Sequence, residues 1–170
     1  MNVYECSVPQ MITLNRQARV WLDKAQAYAE QKKFDPEVLL SSRLAPDQWP
    51  LRKQIQSIAL SPAWFFSMVL GTPAPSTDLA DENLEQLRAR LDGAFEELKA
   101  VKPEQLANIE ERLCPMPFLP GKGMIGSQLV ASFALPNLYF HATLAYAILR
   151  HNGVELGKMD FLGALDLRDV

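Results

Sequence analysis

Residues 129–149, LVASFALPNLYFHATLAYAIL, form a near-continuous apolar run interrupted by Ser132, Pro136, Asn137, His141 and Thr143. Polar groups set into an otherwise buried helix require partners, so they mark either a pinned core or a site. The run is long enough to cross a bilayer, but Pro136, Asn137 and His141 would then lie at mid-depth, where polar groups are costly. A central helix wrapped by other helices accounts for the same residues, and no membrane contact is expected. The spacing predicts this last long helix over residues 127–151, with Ser127 as its cap, Pro136 as a kink and Asn152-Gly153 as its stop.

The preceding sequence supplies the partner helices. Ser7 before Val8-Pro9 reads as an N-cap with proline in the first turn. From there Met11, Leu14, Ala18, Trp21, Ala25 and Tyr28 recur in alternating steps of three and four, while Arg16, Arg19, Asp23, Lys24, Gln26 and Glu30 take the remaining surface. That pattern predicts an amphipathic helix over residues 8–32 with the seam of a helical bundle. A short helix capped by Asp35 runs to about Leu40. A second long helix spans residues 50–70, carries Pro62 inside and ends at Gly71.

The turn-rich segment GTPAPSTDLADEN leads to a third helix over residues 81–101, where Leu84, Leu87, Leu91, Ala94, Leu98 and Val101 repeat the three-four step. Pro103 starts a further turn. Residues 108–125 lose helical periodicity, and Leu119-Pro120-Gly121-Lys122-Gly123 between two extended arms predicts a small hairpin. The fold class is therefore all-α, a four-helix bundle in one domain with a hairpin before the last long helix.

Composition excludes several classes. The 170 residues are 48% hydrophobic and 22% charged, which rules out disordered and collagen-like chains. With 17 basic against 20 acidic residues the net charge is −3, and no basic stripe suggests nucleic acid as a partner. MNVYECSVPQM has no basic region followed by an apolar core, so a secretory signal is not expected. Cys6 and Cys114 have neither metal-binding nor redox spacing. A cytoplasmic protein with two reduced thiols is expected.

The strings SVPQM, DPEVLLSSRLAPDQWPLRKQIQ and FALPNLYFHATLAYAILRHNGVELGKMDFLG together resemble an uncharacterised bacterial family labelled only as a domain of unknown function. That family lies within the DinB/YfiT-like superfamily of four-helix bundles, and the resemblance covers essentially the whole chain. The superfamily includes metal-dependent enzymes, thiol transferases among them, with three interior histidines. One comes from the second long helix and two, four residues apart, from the last. Such a tripod leaves an open metal position. Here His141 matches the second member of the pair, but Asn137 holds the first position. The second helix has no histidine, and Ser57 or Ser61 lies where one would stand. The triad is incomplete, and no metal or cofactor is expected.

Asn137 and His141 share one helix face. They line a pocket where the superfamily keeps its metal, or His141 is a core histidine satisfied by Asn137, by a carbonyl freed at Pro136, or by a tyrosine. Tyr146 and Trp64 join them as pocket candidates, although aromatic residues at helical spacing are usually core. Trp49, Phe65 and Phe66 are further candidate walls. Cys114 and the dipole-favoured pair Arg150 and His151 read as structural. The segment HNGVELGKMDFLG is expected to fold back and dock. Two functions fit: a bundle with a small-molecule pocket at the last helix, or a non-catalytic homodimer built for interaction.

Overall fold

The computed structural model describes residues 2–169. Its first helix, α1 (Val3–Lys32), begins five residues before the expected start. Asn2 accepts from the Glu5 amide at 2.9 Å while the Glu5 carboxylate accepts from the Asn2 amide at 3.1 Å. This reciprocal capping box satisfies two amides that the helix start would leave open. Ser7 is therefore not a cap: its hydroxyl donates to the Val3 carbonyl at 2.6 Å, and Pro9 lies inside the helix.

The short α2 (Glu37–Ser41) follows, with the Asp35 carboxylate accepting from the Glu37 amide. Next come α3 (Leu51–Leu70), closed by Gly71 in the left-handed conformation, and α4 (Leu84–Ala100). A second capping box, between Asn83 and Gln86, starts α4 at the first residue of its leucine stripe, three residues after the expected bound. A single 3-10 turn (Pro103–Leu106) leads to β1 (Leu113–Pro115) and β2 (Gly123–Ile125). The two strands pair antiparallel with Cys114 opposite Met124.

The last long helix is not regular. It consists of α5 (Gly126–Leu129), a π-helical turn (Val130–Ala134) and α6 (Leu135–His151). Pro136 has no amide to offer the preceding turn, and its ring crowds the carbonyl four residues back. The wider turn just before it keeps the helix continuous. One inserted residue rotates everything downstream by about 100° about the axis.

Four helices, α1, α4, α3 and α6, pack in that order around the bundle, and α6 closes against α1. Their shared core contains Met11, Trp21 and Leu22 of α1, Ile55, Ile58 and Phe65 of α3, Leu87, Leu91 and Leu98 of α4, and Leu138, Ala142 and Ile148 of α6. The expectation that α6 forms a dry centre is corrected. Only one face is buried, whereas Ser132, Pro136, Asn137, Tyr139, Phe140 and Thr143 are exposed. Of the polar interruptions in the run, His141 alone is buried.

The chain end folds back as expected. Gly153 stops α6 at φ 91°, and Val154 and Leu156 insert into the core. The final helix, α7 (Lys158–Leu162), docks on α1. Among the described residues no helix is long and apolar enough to cross a membrane.

Candidate functional site

The start of α3 and the middle of α6 face each other across the bundle, and Gln54 and His141 meet between them. Gln54 is 1% exposed, and its Oε1 lies 2.7 Å from His141 Nδ1. The same amide donates through Nε2 to the Trp49 carbonyl at 3.2 Å. A carbonyl only accepts, so Gln54 must turn its NH2 toward Trp49 and its oxygen toward the histidine. His141 therefore carries its proton on Nδ1. Burial lowers its pKa below 6.5, so the ring is neutral at pH 7. Nε2 keeps its lone pair and has no hydrogen-bond partner among the described residues.

His141 lines a cleft of about 410 Å³ between α3, α6 and the loop after α3. Asn137 stands at its mouth, one turn from His141 on the same face of α6. Ser57 and Ser61 line the α3 side, and Trp49 and Trp64 form aromatic walls. Trp49 stacks nearly parallel to His141, with centroids 5.8 Å apart and planes at 12°. Trp64 meets Phe118 of the hairpin edge-on, and Phe118 in turn packs on Phe133 of the π turn. The hairpin thus buttresses one wall.

The loop over residues 71–83 closes another side through Ser76, Thr77 and Leu79. Side chains of α3 tie this strap down. Lys53 Nζ donates to the Leu79 carbonyl at 2.7 Å, Gln56 to the Ala80 carbonyl at 2.9 Å, and Arg52 to the Glu82 carbonyl at 2.7 Å. The Glu82 carboxylate also accepts from Arg90 of α4 and from Gln56, and these bonds hold its pKa below the ordinary carboxylate value.

Three of the four pocket candidates, His141, Asn137 and Trp64, line this one cleft. Tyr146 does not: it points to the docked tail, donates to the Leu156 carbonyl at 3.2 Å and packs edge-on against Trp21 and Phe161. Phe65 is buried in the core rather than in the cleft wall. The partner of His141 is none of those expected from sequence. It is Gln54, which occurs on the apolar face of α3 as a buried polar residue and carries no other local signal. Lys53 and the strap also escape a sequence reading, because their roles depend on long-range contacts. Cys114 is buried with its thiol near the Arg112 carbonyl, and His151 is exposed at the end of α6.

The residues do not fit a three-histidine metal site. His141 is the one imidazole lining the cleft, with Asn137 beside it on α6 and Ser57 and Ser61 across on α3. Among the described residues no group of three or more His, Cys, Asp or Glu side chains is arranged to hold a metal ion.

Comparison with known proteins agrees with this architecture. Residues 3–162 match the family described as a domain of unknown function, DUF1993. The chain is similar to a solved DinB family member protein from Shewanella denitrificans, with 37% identity and a TM-score of 0.90 over 98% of this chain and 95% of that one. No curated protein matches.

Proposed function

The chain belongs to the domain-of-unknown-function family DUF1993 and has a DinB-like fold, and we propose that it binds a small molecule in the α3–α6 cleft. One observation carries this reading: His141, neutral through burial and engaged at Nδ1 by Gln54, lines a concave, aromatic-walled space with its Nε2 lone pair unshared among the described residues. A cleft of about 410 Å³ is in the size range of small-molecule sites. A polar atom left without a protein partner in such a place is ready for a ligand's donor. With Nδ1–H fixed, the ring accepts a hydrogen bond or a proton at Nε2.

The test is a thermal-shift screen of a small-molecule library against the protein and His141→Ala, with circular dichroism establishing that the variant is folded. Compounds that stabilise the parent and leave the variant unmoved support the proposal. A library that stabilises neither, or both equally, overturns it.

A second reading, a non-catalytic homodimer, is favoured by exposed apolar side chains, including Leu113 of β1 and Phe140 of α6, each more than half accessible. Light scattering at micromolar concentration tests it. A mass of one chain ends this reading, and twice that mass supports it.

A further inference from the structure

Accepting the cleft as a binding site, we infer from its donor and acceptor pattern that its ligand is a flat aromatic acid that also carries a hydroxyl or N–H donor. The residues lining the cleft run from buried to exposed. His141 is 9% and Ser61 8% exposed, whereas Lys53 is half-buried and Asn137 lies open at the mouth.

His141, Ser57 and Ser61 offer acceptors. His141 Nε2 carries a lone pair, and the Ser57 and Ser61 hydroxyl hydrogens are already donated to the Lys53 and Ser57 carbonyls, each at 2.8 Å. Their oxygens therefore present lone pairs to the space. A ligand that meets them must bring a donor.

The lining carries one charge. Lys53 is the single charged residue lining the cleft, and the carboxylate close enough to act on it, Glu82, lies outside the lining and is bonded to Arg90 and Gln56, on a chain of net charge −3. Its ammonium uses one proton on the Leu79 carbonyl and keeps two. An anionic group completes that shell, whereas a cationic ligand, otherwise welcome on tryptophan faces, would meet like charge.

The body of the ligand is set by Trp49 and Trp64. Trp49 is 57% exposed yet stacks on a buried ring, so an apolar indole face is presented at the cleft. A flat ring covers such a face with little loss of internal freedom.

Isothermal titration of the intact protein with para-hydroxybenzoate, para-methoxybenzoate, para-hydroxybenzamide and tyramine tests the assignment. Para-hydroxybenzoate is expected to bind below millimolar and about tenfold tighter than each of the other three, the scale of one charge-assisted hydrogen bond. Lys53→Gln, which can still donate to the strap, is expected to erase its advantage over the benzamide and keep that over the methoxy compound. His141→Ala is expected to do the reverse. If the benzamide or tyramine binds as tightly as the acid and His141→Ala abolishes that binding, the ligand class is overturned while the cleft stands. If none of the four binds the parent protein, the ligand class is likewise overturned, and the library screen judges the cleft separately.

Discussion

Gln54 and His141, 87 residues apart in sequence, share a buried 2.7 Å hydrogen bond between α3 and α6 that engages Nδ1 and leaves the Nε2 lone pair unshared. It is a structural tie as well as a chemical one. In Gln54→Leu the Nδ1–H and the Trp49 carbonyl lose their partner together. Leaving a buried polar group unsatisfied costs about 1–3 kcal/mol, and urea denaturation is expected to show a loss on that scale. Adding His141→Phe to Gln54→Leu removes the stranded donor as well. The double variant is expected to lose less than the sum of the two single changes.

Stability should depend on pH through the same ring. Burial holds the folded pKa of His141 below its unfolded value of 6.5. The unfolded chain therefore binds more protons as pH falls past that value. The stabilisation is complete above about pH 6.5 and drains away toward the lower folded pKa. The urea midpoint should fall between about pH 7 and pH 5, and His141→Gln should flatten that slope. Glu82 and Asp160, both with lowered pKa values, act only at more acid pH.

Two glycines should respond to alanine with opposite signs. A Cβ at Gly126 would stand 2.1 Å from the Ile109 carbonyl oxygen, where the backbone bonds from Gly126 to Arg112 and from Ser127 to Glu110 join the helix start to the preceding loop. Backbone cannot swing aside as a side chain does, so Gly126→Ala is expected to cost about 3 kcal/mol. Gly93 sits exposed in the interior of α4 with no atom within 4 Å of its added Cβ. Gly93→Ala should stabilise by about 0.5–1 kcal/mol. Paired thermal melts check both.

The docked tail is held more by packing than by charge. Trp21 Nε1 donates to the Asp160 carbonyl at 2.8 Å, Phe161 stacks on the Trp21 ring at 5.7 Å, and Lys24 pairs with the Asp160 carboxylate at 2.7 Å. Lys24 is partly exposed to solvent, so Asp160→Asn is expected to cost under about 1 kcal/mol. Phe161→Ala strips the cover from a core tryptophan and is expected to cost about 2 kcal/mol. Equal losses in denaturant titrations would count against this ordering.

Spacing along the chain was sufficient to place the long helices, because the apolar stripes of α1 and α4 report a local property: which face of each helix avoids water. Met11, Leu14, Ala18, Trp21 and Ala25 are buried as their spacing requires, as are Leu84, Leu87, Leu91, Ala94 and Leu98. The hairpin and the Gly71 and Gly153 stops were likewise written in local turn chemistry. At the start of α1 two local signals competed. The Asn2–Glu5 capping box formed, and Ser7 before proline became an interior residue. What only the tertiary structure decided was the pairing of His141 with Gln54, the removal of Tyr146 to the tail, and the strap that Lys53 fastens over the cleft. These depend on the rotational phase of one helix against another. The π turn before Pro136 resets that phase by an amount that no reading of hydrophobic period along α6 alone contains.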